Sequence, residues 1–202
     1  MREDTLHIVP AGSFSAEIKA LARAHGYRNF QFYDDAKEIV QQMPSEIPKL
    51  SSTALAIGSS AERQKLKSRL SEQLHFPILM HPSVILMDEE NTRIGRGSLI
   101  TAGSILTTNI EIGEFVIINL QCSVGHDCKL GNFCSLMPGV RLSGGVTLED
   151  GVYLGTNAVV LPNITIGAGA TIGAGAVVTK NVPAGKTYVG IPAQEIGSAI
   201  QA

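Results

Sequence analysis

The 202-residue chain has no tryptophan, and only 5% of its residues are aromatic. A core of stacked large rings is therefore excluded, and its interior must come from small and branched aliphatic side chains. Charge is also scarce at 17%, and nearly balanced: 16 Lys+Arg against 18 Asp+Glu. With a net charge of −2 the chain has no electrostatic footprint for nucleic acid, so no nucleic-acid partner is expected. No apolar run reaches the roughly 18 residues of a spanning helix, so no membrane association is expected either. The start, Met1-Arg2-Glu3-Asp4, is acidic with no apolar stretch behind it, unlike a secretory signal. Three cysteines are too few, and odd in number, for a disulfide framework. These absences imply a soluble, reduced, cytoplasmic protein. At 44% hydrophobic the chain can still bury a core, which excludes disorder.

What is abundant is repetition. Stepping by six from Ile94 through Ile100, Leu106, Ile112 and onward to Ile172 and Val178, every residue is Ile, Leu or Val. The fourth residue after each is small or branched, from Ser98 and Ser104 through Cys122, Cys128 and Cys134 to Ala176 and Val182. Glycine often follows the aliphatic residue, as at Gly95, Gly113, Gly125 and Gly131, where a corner needs positive φ or close backbone approach. A period of six excludes an amphipathic helix and fits a parallel β-helix of triangular section. Three hexads make one coil, so residue i lies beneath residue i+18, and residues 94–183 give five coils. The three cysteines fall in the inward column, one per face of a single coil, as small buried hydrophobes.

Residues 1–80 read differently. Leu6–Val9 is a strand, Pro10–Ser13 a turn, and Phe14–His25 a helix stopped by Gly26. Phe30–Tyr33 is a second strand closed by Asp34-Asp35, and Thr53–Ile57 a third. A helix from Ala61 to about Leu74 and a fourth strand over Phe76–Met80 follow. The alternation implies a small parallel α/β domain, with ligands beyond the C-terminal strand ends. Gly12 and Ser13 open a helix N-terminus that can offer N–H groups to a phosphate, and Asp34 and Asp35 can accept hydrogen bonds from a ribose or base. A solvated, capped turn is the plainer alternative.

Within the repeat, His126 is the only histidine, with Asp127 beside it at a corner. One coil above stand Gly144 and Gly145, which leave space over the imidazole. Histidine suits general-base chemistry because it titrates near neutrality. An ordinary surface histidine is the competing reading. Higher in the same column come Pro162 and Lys180, the latter about 14 Å from His126 by strand spacing, within reach of a pantetheine arm. Lys180 would then meet a phosphate, or be merely solvated. A zinc site needs several histidines on stacked coils; the repeat supplies one, so no metal is expected.

The chain resembles the hexapeptide-repeat sugar O-acyltransferases of the sialic acid O-acetyltransferase type, which include N-acetyltransferases of nucleotide-linked amino sugars. The matching stretches are Phe32-Tyr33-Asp34-Asp35, Ala56-Ile57-Gly58-Ser59-Ser60 with Arg63, His81-Pro82-Ser83, Val124-Gly125-His126-Asp127, Gly155-Thr156-Asn157-Ala158, Ile172-Gly173-Ala174-Gly175-Ala176-Val177-Val178 and Gly190-Ile191-Pro192-Ala193. The resemblance implies an N-terminal small α/β Rossmann-like domain, residues 1–80, that binds a nucleotide sugar. A left-handed parallel β-helix with a C-terminal cap, residues 81–202, would follow it. It also implies a homotrimer, acetyl-CoA as co-substrate, His126 as general base and Asp127 as its enhancer. Gly144, Thr156 and Ala174 match positions lining the acetyl-CoA groove between neighbouring subunits. Gly12, Ser13, Asp34 and Asp35 match the sugar-nucleotide side.

Two positions depart from the family pattern. The first turn is Pro10-Ala11-Gly12-Ser13-Phe14-Ser15 where the family carries several glycines and a histidine. Ser135 stands where the family has a second histidine near the acetyl group. The altered turn leaves open an acyltransferase acting on serine or a free sugar, and a β-helix without catalysis is a third alternative.

Overall fold

The computed structural model describes residues 5–10, 12–33 and 47–197. Its N-terminal unit is a three-stranded parallel sheet of β1 (Thr5–Val9), β2 (Asn29–Phe32) and β3 (Ser52–Leu55), in the order β2-β1-β3. The central strand β1 reads as a near-continuous apolar run because both its faces are covered; Leu6, Ile8 and Val9 are fully buried. Helix α1 (Ser13–His25) turns Ile18, Leu21 and Ala22 inward. It stops at Gly26 as the sequence predicts: with φ at 117°, a conformation glycine alone adopts cheaply, Gly26 donates its N–H to the last carbonyls.

The second helix is shorter than its apolar spacing suggests. Helix α2 (Ser60–Lys67) ends well before Leu74. Leu66, Leu70 and Leu74 do share one cluster. However, the Ser68 hydroxyl donates to Lys65 O at 2.9 Å, and Ser71 Oγ accepts from Gln73 N at 3.2 Å. These side-chain bonds compete with the helical ladder. The expected fourth strand also differs. Only Leu79–Met80 is extended, and it pairs with Leu99–Ile100 of the repeat rather than with the N-terminal sheet.

The repeat folds into a parallel β-helix with three sheet faces. It starts two strands earlier than Ile94, at Leu79–Met80. Met80, Leu86 and Ile94 point at the same core, but eight residues separate the last two, and that longer step hides the first coil from a six-residue period. Through the middle of the stack rungs are paired eighteen residues apart, as in Ile117↔Ser135 on the first face, Ser123↔Arg141 on the second and Lys129↔Thr147 on the third; the offset is twenty at the base (Leu79↔Leu99) and sixteen at the top (Thr171↔Thr187). The aliphatic and small inward columns fill the prism, including the free, buried Cys122, Cys128 and Cys134. Burial pushes the Cys122 thiol up to about 11 and Cys134 up to about 12, so both are inert at neutral pH. The glycines that directly follow the aliphatic residue serve close approach rather than positive φ. A Cβ built on Gly125 would sit 2.8 Å from Gly144 N. Positive φ falls two residues further on, for example at Asp127 (60°).

The N-terminal unit lies against the first face. Low on that face, the outward side chains Leu79, Leu99 and Ile117 join Leu6, Ile8 and Ile18 in one cluster. One rung higher the contact becomes polar and centres on Arg63, which is 1% exposed. Its guanidinium donates to Phe115 O (2.9 Å), Ile57 O (2.7 Å), Gly58 O (3.1 Å), Phe133 O (2.8 Å), Cys134 O (3.1 Å) and Ser135 Oγ (2.9 Å). None of these partners is a carboxylate, and burial lowers its pKa from 12.5 to about 10. Five backbone carbonyls and one hydroxyl thus solvate the cation and clamp the start of α2 to the coils. Arg63→Leu strands several buried acceptors, each costing about 1–3 kcal/mol. Its urea unfolding midpoint is expected to fall by an amount equivalent to about 3 kcal/mol, and a midpoint equal to wild type would refute the clamp.

Candidate active site

His126 sits on the edge where the second and third faces meet. The edge is built by stacked corners: Asp127 N donates to Thr108 O at 3.1 Å, Gly145 N to His126 O at 2.8 Å, and Asn163 N to Gly144 O at 3.0 Å. The His126 side chain is 66% exposed and bonds Asp127 Oδ2 through Nδ1 at 2.7 Å. A proton on Nδ1 then donates to the carboxylate, leaving Nε2 as an acceptor. The Asp127 carboxyl is held below the usual carboxylate range, first by the His126 hydrogen bond and then by Asn109. Gly144 lies directly above the ring: a Cβ there would stand 2.4 Å from Nε2 and 2.5 Å from Cε1. The face of the imidazole therefore packs over a bare backbone position that a side chain would take from it, and two-thirds of the side chain stays open to solvent.

The other residues singled out in the sequence fall in several places. Lys180 is exposed toward the top of the same edge, next to Asn181, whose Oδ1 accepts from Thr165 N at 2.9 Å. Thr156 and Ala174 are exposed on a different edge, between the first and second faces, where Gly175 N donates to Thr156 O at 2.8 Å. Ser135 is fully buried in the seam against α2, bonded to Ser60, Arg63 and Gly58 O. Every polar contact of its hydroxyl is internal, so it presents nothing to a ligand. Gly12 and Ser13 are exposed at the start of α1, beyond the C-terminal end of β1. Asp34 and Asp35 lie outside the described residues.

The start of α2, beyond β3, opens at the same end of the sheet as Gly12. There a cleft of about 880 Å³ runs between α2 and the upper first face, lined by Ser59, Ser60, Glu62, Asp150, Tyr153 and Thr171 among others. Sequence reasoning missed this cleft because its walls come from two units whose docking no local pattern encodes. It also missed Asn109, whose amide meets Asp127. The signal was available: Asn109 is eighteen residues before Asp127, hence one rung below it.

The remaining histidines are spent elsewhere. His7 bonds Tyr33 Oη at 2.7 Å, His25 the carbonyl of Met80 at 3.2 Å, His75 the Ser52 hydroxyl at 3.3 Å and His81 the Ser83 hydroxyl at 2.8 Å. Among the described residues no group of three or more His, Cys, Asp or Glu side chains is placed to hold a metal ion. Nor is any helix among them long and apolar enough to cross a membrane.

Gly144→Ala tests the geometry of the site. Its backbone accepts a side chain, so the unfolding midpoint is expected to stay at the wild-type value. The imidazole, however, must swing aside, and turnover is expected to fall on the order of tenfold or more. Unchanged turnover would show that the seating of the ring over Gly144 does not matter.

Comparison with known proteins bears on the family and the fold. Residues 145–180 match the bacterial transferase hexapeptide model of six repeats. No curated protein matches the chain. Among solved structures, WeeI from Acinetobacter baumannii AYE is 31% identical, with a TM-score of 0.81 over 95% of this chain and 99% of its own. PerB from Caulobacter crescentus, solved with CoA and GDP-perosamine, is 28% identical, with a TM-score of 0.81 over 96% and 97%. The acetyltransferase domain of PglB from Neisseria gonorrhoeae FA1090, solved with acetyl coenzyme A, is 26% identical, with a TM-score of 0.85 over 96% and 99%. The likeness thus runs through both the N-terminal unit and the coils, and a scaffold without catalysis is set aside. The chain belongs to the hexapeptide-repeat sugar acetyltransferases, which take their acyl group from acetyl-CoA.

Proposed function

We propose that the protein acetylates the amine of a nucleotide-linked amino sugar by direct attack on acetyl-CoA, with His126 as general base. The observation that carries this reading is the exposed imidazole of His126, bonded to Asp127 through Nδ1 so that Nε2 is left as the acceptor, with its ring seated over the bare backbone of Gly144. The acceptor nitrogen attacks the thioester carbonyl while Nε2 takes its proton. The tetrahedral intermediate collapses, the C–S bond breaks, and the imidazolium returns the proton to the departing thiolate as free CoA. No covalent enzyme intermediate is required. The relative solved with both CoA and GDP-perosamine supports a nucleotide sugar as acceptor. Gly12, Ser13, Asp34 and Asp35 would serve it from a nucleotide-binding domain over residues 1–80, with acyl transfer belonging to a left-handed coil over 81–202. The single glycine of the turn at Pro10–Ser15 favours, as a second reading, a smaller acceptor such as serine or a free sugar. A cytoplasmic location fits a supply of both nucleotide sugar and acetyl-CoA.

The site is completed by a second copy of the chain. The N-terminal unit covers the first face, whereas His126 stands on the edge that does not border that face. An acceptor held near α2 therefore lies on the far side of the prism from its own imidazole. The second face and its margins carry exposed apolar side chains: Ile85 (54%), Met87 (67%), Ile105 (37%) and Leu161 (39%). Packing these faces around a threefold axis would bring Thr156 and Ala174 of one subunit near His126, Gly144 and Lys180 of the next, as two walls of one acetyl-CoA groove.

His126→Ala is expected to lower kcat about 10²–10⁴-fold without changing the fold. CoA release is the readout, with UDP- and GDP-linked amino sugars against serine and free amino sugars as acceptors. Wild-type turnover by this variant would overturn the base assignment. Light scattering is expected to give three times the 21.4 kDa chain mass. Ile105→Lys should shift that mass toward the monomer and remove activity, and a fully active monomer would refute the shared site.

A further inference from the structure

The Asp127 carboxylate has two oxygens, and only one is needed to hold His126. The other, Oδ1, accepts from the side-chain amide of Asn109 at 2.5 Å. We propose that Asn109 is a positioning residue for the reaction: it locks the Asp127 carboxylate so that the opposite oxygen holds the His126 ring over Gly144 with Nε2 left as the acceptor. This rests on the general-base role given to His126 above.

Three observations support it. First, the pair it steadies is exposed, with His126 at 66% and Asp127 at 55%. An exposed ion pair or hydrogen bond is worth little alone, because water competes and the carboxylate can turn about its Cβ–Cγ bond. A second bond from the opposite side removes that freedom. Second, Asn109 and Asp127 occupy equivalent corners on successive rungs, both in the left-handed region, with φ of 54° and 60°. Asn and Asp tolerate that region better than other side chains, and their short reach brings amide and carboxylate together. Asn157 and Asn163, at similar corners, lean over Gly139 and Gly145 instead. Third, the charged neighbours are already committed. Asp88 accepts from Thr108, one rung beneath His126, and Lys129 pairs with Glu111 on the third face at 3.4 Å. Asn109 is thus the neutral donor that meets the site carboxylate without neutralising it. The hydrogen bonds from His126 and Asn109 together keep Asp127 ionised to lower pH than an ordinary aspartate.

Asn109→Gly removes the amide while suiting the positive φ. Nitrogen-15 NMR of His126 should show the proton on Nδ1 in the wild type and a mixture of tautomers in the variant. Asp127 should titrate at higher pH in the variant, because a bond to its ionised form is lost. kcat should fall on the order of tenfold, while KM for acetyl-CoA is unchanged. In an Asp127→Gly background, Asn109→Gly should cost nothing further, since it acts only through that carboxylate. An unchanged tautomer, or an equal loss in both backgrounds, would overturn the proposal. The NMR readout is independent of turnover, so it decides the placement even if His126→Ala proves active. If the glycine variant fails to fold, Asn109→Ser, too short to reach Oδ1, carries the same measurements.

Discussion

Through the middle of the stack each coil satisfies its backbone through the coil eighteen residues away, and this offset governs where the site residues stand. The extended pairs Ser123–Val124 and Arg141–Leu142 are in register because the turns between them have one length, and the turns have one length because the hexad is uninterrupted from Ile94 to Val178. Regular ladders leave no freedom to adjust a corner. A residue's number therefore states its edge and its height. That is how a histidine and a glycine eighteen residues apart come to face one another across 2.4 Å of hypothetical Cβ.

The small hydrophobic core follows from the same constraint. Coils close around a narrow triangle, so the inward positions accept Ala, Val, Cys, Ile and Leu and have no room for a tryptophan. The lack of large rings noted in the composition is the cost of this geometry. The few phenylalanines gather outside the prism: Phe115 and Phe133 stack with centroids 5.2 Å apart beneath α2, where the N-terminal unit needs apolar contact. Arg63 then ties that contact to the coils by backbone carbonyls of both parts.

Legibility in the sequence tracks locality. Inward columns, the edge carrying His126 and Gly144, and the stop at Gly26 each follow from a period or a single residue. What failed depended on events the period does not record. The first coil was hidden by the longer step between Leu86 and Ile94. Helix α2 was overextended because Leu70 and Leu74 keep helical spacing while the serines around them divert the backbone. Ser135 was assigned to the acyl groove by alignment with a family histidine. The structure spends its hydroxyl on Arg63 and Gly58, which no one-dimensional pattern shows. The cleft beside α2 was invisible for the same reason.

The stacked edge has one more consequence. Positions along it are separated by whole rungs of about 4.8 Å, so distances between chemical groups on the column come only in multiples of that step. Lengthening the backbone span from the imidazole to a residue higher on the edge by a fraction is impossible without breaking the ladder; adding or deleting eighteen residues changes it by one full increment. Variation in such a protein is thus digital along the prism axis, and continuous adjustment is left to the side chains that project from it.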